Sequence, residues 1–392
     1  MPSTAPPPAP PPEYTRQPRR VPGDGIWDRI SEGRRLDELW SQFSADAQAS
    51  YGFYGKDLDW EQLKTIPAWR RPFRVAKHFF WALVMKMTPA RRVLLFVALA
   101  MLILSSPKLN VGHSFSFDVN LDAIAALLFL LLLSLELADK VTMKRDLEIA
   151  REIQSWLTPS QPPPVTGASI AFHTRPQNSV AGDYYDAFYP LQDAESGGKL
   201  FLVIADVAGK SVPAALLMAT FQASLHTVAR EGVSLQKLVA RLNRYACAHS
   251  LDGRRFTTAM LGEYDPATRI FTYVNAGHNA PVLRRYNANG EAQIERLPAS
   301  GVPFGISLDA NYEIATVQLA PRDALVLFTD GVVEAFNAKG EEFTDARWVD
   351  TVRHLPDWEA QRALQFLMQR VDEFVGATKQ FDDITCLVVR CE

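Results

Sequence analysis

The sequence predicts an α+β domain in its carboxyl-terminal part, preceded by a helical region with two apolar segments. After residue 165, short apolar runs alternate with turn residues, and two helix-like segments lie among them. Strands that occur in runs, with the helices segregated between them, are typical of a layered α+β domain rather than of strict β-α-β alternation. Two uninterrupted apolar stretches before residue 135 predict the helical region.

Composition excludes several classes of protein. The 392 residues include 41 Lys and Arg against 44 Asp and Glu, which gives a net charge of −3. A general nucleic-acid-binding protein has a basic excess or a basic stripe, so we expect no nucleic-acid partner. A hydrophobic share of 47% excludes a wholly disordered chain. The three cysteines have no framework spacing, which favours reduced thiols in the cytosol.

The amino-terminal part of the chain has the weakest pattern of apolar residues. Residues 1–22 contain a proline run from Pro6 to Pro12 and no apolar periodicity, which predicts a disordered, proline-rich tail. This tail lacks the basic start and the apolar core of a secretory signal. Residues 23–88 are predicted to form a cytosolic helical segment, since apolar residues recur at helical spacing within 25–49.

The two apolar stretches, Val93–Leu104 and Ala123–Leu133, are each shorter than the ~20 residues that span a bilayer comfortably. Basic residues nevertheless precede the first stretch and follow the second: Arg70, Arg71, Arg74, Lys77, Lys86, Arg91, Arg92, Lys140, Lys144 and Arg145. The connecting segment 107–120 has only Lys108, beside Asp118. This asymmetry predicts a two-helix transmembrane hairpin over residues 89–138, in the inner membrane with both ends cytoplasmic. The alternative is a peripheral or soluble helical pair.

A single helix is expected from Leu135 to Leu157, because no Gly or Pro occurs until Pro159. Two apolar stripes follow three-four spacing on it: Met143, Leu147, Ala150 and Leu157, and Ile149, Ile153 and Trp156. We therefore predict a coiled-coil-like linker helix over 139–160, through which two copies of the chain would form a homodimer. The alternative is that a stripe packs on the same chain's own domain, which is predicted to cover residues 161–392.

Within that domain, five apolar runs have the character of strands: 199–206, 256–264, 270–276, 324–330 and 384–390. Helices are predicted over Val212–Arg230 and Leu235–Ser250, with Ser234 as the N-cap of the second.

Carboxylates occur where these strands end or begin: Asp206, Asp330, the pair Asp382 and Asp383, and the pair Asp183 and Asp186. One aspartate beside a glycine is usually a turn residue, but several at the ends of apolar strands indicate a shared site. Converging carboxylates repel each other, and a hard divalent cation such as Mg²⁺ or Mn²⁺ removes that repulsion. The sequence contains no His/Cys cluster, Walker loop or G-x-S-x-G motif that would favour another chemistry.

Five segments, in this order, resemble the PPM superfamily of metal-dependent Ser/Thr protein phosphatases, specifically its bacterial SpoIIE-like (RsbU-like) branch. They are VAGDYYD, DVAGKSVPAALLMA, NAGHNAP, TDGVVEAFN and DDIT, and the preceding AREIQSWLTP is similar to the linker helix of that branch. The resemblance covers about residues 146–392. It implies an α/β/β/α sandwich of two antiparallel sheets flanked by helices, with two Mn or Mg ions at one end.

The resemblance also implies roles for individual residues. Asp206 would bridge both metals, with the Val207 carbonyl as a further ligand. Asp330 and Asp382 would complete the main metal site and, with Asp206, form the catalytic set. Asp183 would help to hold the second metal.

Asp383, beside Asp382, is included among the metal ligands with less direct support from the motif. The implied reaction is attack of a metal-bound water on a phosphoserine or phosphothreonine protein, typically an anti-sigma-factor antagonist. The alternative is a catalytically degenerate domain that acts as a binding module in partner switching. The retained carboxylates favour the enzyme.

Some positions depart from the family pattern. Ala181, Ser211 and Thr344 stand where glycine is usual. Arg175 and Lys210 are candidate phosphate contacts, and no general acid is identified. His278 is interpreted as a structural turn residue.

Overall fold

The computed structural model describes Lys77, Phe80, Trp81 and residues 84–105, 120–190, 198–250 and 255–392. The predicted proline-rich tail, the helical pattern within 25–49 and nearly all of the connector between the apolar stretches lie outside the described residues. Internal contacts divide the chain into two units, residues 1–138 and 139–392.

The first unit contains helix α1 (Pro89–Ser105) and the beginning of helix α2 (Leu121–Leu157). Many of its large apolar side chains are exposed, among them Ile103 at 71% and Leu127 at 65%. Arg91 Nη1 on α1 lies 3.1 Å from Glu136 Oε1 on α2. Exposed leucine and isoleucine along a helix are unfavourable in water and favourable in lipid.

Two described helices are long and apolar enough to cross a membrane, α2 and helix α3 (Ser211–Ala229). The most apolar window of α2 has a mean hydropathy of 2.3, against 1.3 for α3. Helix α3 belongs to the second unit, where Met218, Phe221 and Leu225 are buried in the core. Length and composition therefore weakly support membrane association, and α2 is the better candidate.

The second unit contains the following strands: β1 (Ala168–Arg175), β2 (Tyr184–Phe188), β3 (Leu200–Val207), β4 (Thr257–Asp265), β5 (Ile270–Ala276), β6 (Val282–Tyr286), β7 (Ala292–Arg296), β8 (Ala315–Gln318), β9 (Ala324–Phe328) and β10 (Ile384–Cys391). Its helices besides α3 are α4 (Leu235–Ala248), α5 (Asp330–Val333), α6 (Asp345–Arg353) and α7 (Ala360–Val375). The strands form two antiparallel sheets, with the orders β1-β10-β9-β6-β7 and β2-β3-β4-β5-β8.

The core has three layers, and strand β3 shows why its sequence is continuously apolar. Leu200, Leu202 and Ile204 point into the layer between the two sheets. The intervening Phe201, Val203 and Ala205 point into the layer beneath α3 and α4. Successive side chains of a strand point to opposite faces, so a strand that is covered on both faces has no position for a solvated residue.

Helices α6 and α7 cover the outer face of the first sheet, where Trp348, Leu364 and Leu367 are buried. The resulting α/β/β/α sandwich confirms the predicted fold class.

The element boundaries differ from the sequence prediction in a few places. Strand β9 ends at Phe328, and Asp330 begins the short helix α5 instead of ending the strand. Ser234 does occupy the N-cap position of α4, but its side chain forms no capping hydrogen bond. Strands β1, β2, β6, β7 and β8 lie outside the five predicted runs, because several of them are partly exposed and lack a long apolar run.

Candidate metal centre

Four motifs meet at one end of the sandwich because their strands are neighbours. The Asp183 loop leads into β2, which pairs with β3 so that Tyr184 lies opposite Ala205, next to Asp206. In the other sheet, β9 leads to Asp330, while Asp382 and Asp383 precede its neighbour β10. Antiparallel pairing therefore brings the end of one strand beside the beginning of the next in both sheets.

Asp206 is half-buried among other carboxylates. Burial, together with the negative charges of Asp330, Asp382 and Asp383, raises its pKa to about 7, and Lys210 opposes that rise. Burial and the neighbouring Asp382 also raise the pKa of Asp330. These carboxylates are therefore close enough to repel one another strongly when ionised.

Asp183 is buried, with 5% of its surface exposed. Its Oδ2 accepts a hydrogen bond of 2.8 Å from Thr329 Oγ1, in the segment that leads to Asp330. Burial and the charge of Asp206 raise the pKa of Asp183 well above its ordinary value. The hydrogen bond from Thr329 fixes this carboxylate beside the others.

Asp382 and Asp383 are adjacent but have different partners. Asp382 Oδ2 lies 2.7 Å from Lys210 Nζ. Both carboxylate oxygens of Asp383 accept backbone hydrogen bonds, from Gln177 N at 2.6 Å and from Gly182 N at 2.7 Å. Asp383 thus ties the Asp183 loop to the start of β10, and its direct metal ligation stays a prediction.

Two glycines allow these segments to approach closely. A Cβ on Gly182 would lie 3.2 Å from the Val207 carbonyl oxygen and 3.7 Å from Asp206 Oδ1. A Cβ on Gly331 would collide with the backbone oxygen of Asp383. Close approach of backbone to backbone is a reason for glycine at both positions.

The donor set fits a hard divalent cation by its chemistry. All the acidic groups are carboxylates, and the Val207 carbonyl that lies near Gly182 adds another oxygen. Among the described residues, no group of three or more His, Cys, Asp or Glu side chains is already arranged to hold a metal ion. The described carboxylates thus lie near one another, but three of them do not yet surround a common metal position.

The two predicted phosphate contacts have different surroundings. Lys210 lies at the cluster, where its ammonium contacts Asp382 and the Phe381 carbonyl at 3.0 Å. Arg175 Nη1 instead forms an ion pair of 2.7 Å with Asp372 on α7. Arg255, which sequence reasoning missed, places Nη1 2.9 Å from the position that a Cβ on Gly209 would take.

Asp186 is separated from the other carboxylates. Its Oδ2 lies 2.7 Å from His226 Nε2 on α3 and accepts a hydrogen bond of 2.6 Å from Tyr184. The ring of Phe188 stacks on His226 with 4.0 Å between centroids. Asp186 therefore connects β2 to α3 and is not part of the cluster.

His278 has a structural position, as predicted. It is buried, and burial lowers its pKa to about 4, so the ring is neutral near pH 7. Its Nδ1 lies 2.9 Å from Thr258 Oγ1, and Asn275 Oδ1 accepts a hydrogen bond of 2.8 Å from its backbone N–H.

The positions that depart from the family pattern have different consequences. Ser211 and Thr344 have positive φ values of 61° and 71°, a conformation that favours glycine. Ala181 does not share this conformation. Its backbone N–H and C=O are both bonded by the side chain of Gln154 on α2, at 3.0 and 2.7 Å.

Comparison with known proteins agrees with this arrangement. The family model described as stage II sporulation protein E (SpoIIE) matches residues 196–392, which is the carboxyl-terminal half of the chain. The chain belongs to the SpoIIE family. This SpoIIE match contains Asp206, Asp330, Asp382 and Asp383, whereas Asp183 lies before it.

Curated relatives extend the similarity. Phosphoserine phosphatase RsbU of Bacillus subtilis is 30% identical over 198 residues, which are 50% of this chain and 56% of that protein. Protein IcfG of Synechocystis is 28% identical over 285 residues, which are 66% of this chain and 43% of that protein. The chain thus spans about half the length of the curated relatives that it matches.

Among solved structures, the SiaA-PP2C domain of Pseudomonas aeruginosa matches with a TM-score of 0.55 and 21% identity. The match covers 65% of this chain and 99% of that domain. At this identity the likeness concerns the fold, and it agrees with the two-sheet sandwich of this SpoIIE-family chain.

Proposed function

We propose that this chain is a metal-dependent protein serine/threonine phosphatase in bacterial signalling. The observation that carries the proposal is the oxygen-only cluster at one end of the sandwich, in which burial and neighbouring carboxylates raise the pKa of Asp206 to about 7. Such a concentration of negative charge is unfavourable unless a cation binds there. Similarity to the phosphoserine phosphatase RsbU supports the same chemistry.

Asp206, Asp330 and Asp382 would hold two Mn or Mg ions, with Asp183 and the Val207 carbonyl as further ligands and Asp383 at the edge of the set. Bound Mn²⁺ or Mg²⁺ lowers the pKa of a coordinated water and neutralises charge on phosphoryl oxygens, which is what hydrolysis of a phosphate monoester needs. Thr329 orients Asp183 by its hydrogen bond, and Asp383 orients the loop that carries Asp183.

The substrate would be a phosphoserine or phosphothreonine protein, of the anti-sigma-factor antagonist type. Two cations suit a phosphate dianion, one at the cluster and one beside Gly209, three residues after Asp206. The Lys210 ammonium contacts Asp382, and the Arg255 guanidinium lies against Gly209. Lys210 would be available to bind the phosphate if a bound metal ion neutralised Asp382.

We further propose that α1 and the first half of α2 cross the inner membrane as a hairpin, with the phosphatase domain in the cytoplasm. The exposed apolar side chains of both helices and the basic residues before α1 and after Ala138 support this arrangement. The rest of α2 would then act as the linker between membrane and enzyme.

The test is hydrolysis of p-nitrophenyl phosphate and of a phosphoserine protein by residues 139–392, the second compact unit, over a range of Mn²⁺ and Mg²⁺ concentrations. We expect metal-dependent turnover that Asp206→Asn abolishes. Asp350→Asn is the matched control, because Asp350 is exposed on α6 and lies outside the cluster. Absence of turnover at every metal concentration would favour the alternative, a degenerate domain that binds partners without catalysis.

A further inference from the structure

The sandwich exposes one phenylalanine beside the carboxylate cluster. Among the described residues after position 160, Phe381 is the only phenylalanine or tryptophan whose side chain is largely exposed, with 53% of its surface open to solvent. It directly precedes Asp382 in the sequence. A single exposed apolar side chain is common on a protein surface, so its meaning depends on what surrounds it.

A second aromatic ring supports Phe381 from a neighbouring motif. Phe336 meets it edge-on, with 5.3 Å between the ring centroids and 73° between the ring planes. Phe336 is half-buried and follows the short helix α5, which begins at Asp330. Edge-to-face pairs of this geometry are favourable, and this pair connects the segment of Asp330 to the segment of Asp382.

Polar contacts fix the backbone on both sides of Phe381. Its carbonyl oxygen accepts a hydrogen bond of 3.0 Å from Lys210 Nζ, which also lies 2.7 Å from Asp382 Oδ2. The side chain of Gln380 donates hydrogen bonds of 2.6 Å to the carbonyl oxygens of Arg175 and Asp382. The exposed ring thus has a defined place relative to a proposed metal ligand and to a proposed phosphate contact.

A phosphoserine that reaches the cluster brings its neighbouring residues to this ring. Consecutive Cα atoms lie ~3.8 Å apart, both between Phe381 and Asp382 and in a bound peptide. When the phosphate lies at Asp382 and Lys210, the side chain that can contact Phe381 is therefore one or two residues from the phosphoserine. The surface that this side chain meets is an aromatic ring, which favours an apolar group because both surfaces then lose contact with water.

We propose that Phe381, supported by Phe336, is a specificity-determining residue that binds an apolar side chain one or two residues from the phosphoserine or phosphothreonine of the substrate. The inference rests on the proposed function, since it concerns the substrate of that same site. It supplies a preference that the metal centre alone does not, because metal ions recognise the phosphate group only. Phe381 contacts the substrate protein and takes no part in the hydrolysis.

The test compares two synthetic phosphoserine peptides that differ only in the two residues on each side of the phosphoserine, which are leucine in one and alanine in the other. The full chain hydrolyses them at saturating Mn²⁺, and the readout is the ratio of kcat/KM between the leucine peptide and the alanine peptide. This ratio cancels any change in the metal centre, which affects both peptides equally. We expect a ratio of about ten for wild type, an ordinary effect of an aromatic anchor in a protein interface, and a ratio below about two for Phe381→Ala.

Two further variants make the result specific. Phe381→Leu keeps an apolar surface, so its ratio should lie between those of wild type and Phe381→Ala. The double variant Phe336→Ala/Phe381→Ala should lose no more of the ratio than Phe381→Ala alone, since rings that act together are not additive.

Trp358→Ala is the matched control. Trp358 forms a similar edge-on pair with Phe366, with 5.9 Å between the ring centroids. It precedes α7, whose first residue bonds to Ser169 near the beginning of β1, whereas Gln380 bonds to Arg175 at the end of that strand. Loss of this remote pair should leave the ratio at the wild-type value.

A ratio that stays at the wild-type value in Phe381→Ala would overturn the role of Phe381. An equal fall of kcat/KM for both peptides would also overturn it, because Phe381 would then act on the metal centre and not on the neighbouring side chain. A wild-type ratio near one would overturn it as well, and a change in the sedimentation of Phe381→Ala would then assign the ring to a second copy of the chain.

Failure of the proposed function is recognised separately, by wild-type protein that hydrolyses neither p-nitrophenyl phosphate nor either peptide at any Mn²⁺ concentration. Fluorescence anisotropy then measures the affinities of wild type and Phe381→Ala for the two peptides. The ratio of these affinities tests Phe381 in the same way as the ratio of kcat/KM.

Discussion

At the residue scale, the site is a group of like charges that the fold holds together with few compensating partners. Asp206 lies near four other aspartates, Asp183, Asp330, Asp382 and Asp383, and the Lys210 ammonium opposes the rise in its pKa. The Thr329 hydroxyl donates a hydrogen bond to Asp183, and the backbone amide of Gly182 donates one to Asp383. Without a bound metal ion, the aspartates that the proposed hydrolysis requires should therefore lower the free energy of unfolding.

We predict that Asp206→Asn stabilises the metal-free protein at pH 8. The folded-state pKa of Asp206 is raised from 3.8 to about 7. Its contribution to stability is present below pH 3.8 and is lost as the pH rises through 7. At pH 8 the variant should be more stable by on the order of 2 kcal/mol, and the difference should shrink towards pH 5.

Urea unfolding in EDTA at both pH values measures this effect, with Asp350→Asn as control. Saturating Mn²⁺ should reverse the order of stabilities, because ligand binding stabilises only the protein that keeps its ligands. A wild type as stable as Asp206→Asn at pH 8 would show that the charges do not repel as described.

A second prediction concerns Thr344, which has φ 71° and ψ 153° directly before α6. This region of conformational space is nearly restricted to glycine and costs other residues about 1–3 kcal/mol. Thr344→Gly should therefore raise the free energy of unfolding by about 1 kcal/mol, after the greater chain entropy of glycine is subtracted. Thr351→Gly, inside α6, is the control and should lower it by about 1 kcal/mol. If Thr344→Gly and Thr351→Gly lowered the free energy of unfolding equally, the backbone of Thr344 would not be strained.

At the scale of elements, α2 has two different faces after residue 139. Leu147, Ala150, Gln154 and Leu157 are half-buried, and Gln154 bonds to the sandwich. Ile149, Ile153 and Trp156 are exposed, Trp156 at 73%. The bond from Gln154 agrees with the interpretation that this face packs on the chain's own domain, although Met143 of the same stripe is exposed. Pairing through the other face stays a prediction.

We predict that the exposed face pairs with its copy in a second chain. Most of the stability of a helix in a protein comes from packing of its apolar face, so an uncovered apolar stripe favours association. Residues 135–392 should sediment as a dimer, and Ile153→Glu should convert it to a monomer. Glu152→Ala, on the same helix, should remain dimeric. A monomeric wild type, or a dimer that tolerates Ile153→Glu, would exclude pairing through this stripe.

At the scale of the whole molecule, the chain combines a helical unit with many exposed apolar side chains and a sandwich with a buried core. The large exposed side chains of α1 and early α2 are leucine, isoleucine, valine and phenylalanine. Helix α1 has 17 residues, slightly fewer than the ~20 that span a bilayer comfortably. Basic residues lie before it, where they can reach the headgroups.

We predict that the segment between α1 and α2 lies outside the cell membrane and the sandwich lies inside. A reporter cysteine at position 114 should react with an impermeant reagent in intact cells, and one at position 192 should react only after lysis. The unmodified protein is the labelling control for the native cysteines, of which Cys386 and Cys391 are buried and Cys247 is half-buried. Labelling at position 192 without labelling at position 114 would reverse the topology.

Much of the fold was predictable from the sequence because it follows from local patterns. The run 199–206 is apolar at every position up to its aspartate, and the observed β3 is covered on both faces. Helices were predicted near their observed bounds, for example Val212–Arg230 against Ser211–Ala229. The order of the aspartate motifs predicted the family, which the match over residues 196–392 confirms.

What each polar side chain contacts was decided only by the tertiary structure. Asp183 and Asp186 form one pair in the sequence, yet three residues of extended chain turn them to opposite faces, one towards the cluster and one towards His226. Asp383 bonds to backbone amides, and Gln154 bonds to a residue 27 positions away. The sequence by itself determined the long apolar strands, the helices α3 and α4 and the family, since apolar runs and motif order are local properties. Packing of distant segments decided the partner of each carboxylate and of Gln154, because a hydrogen bond depends on where both groups lie in space.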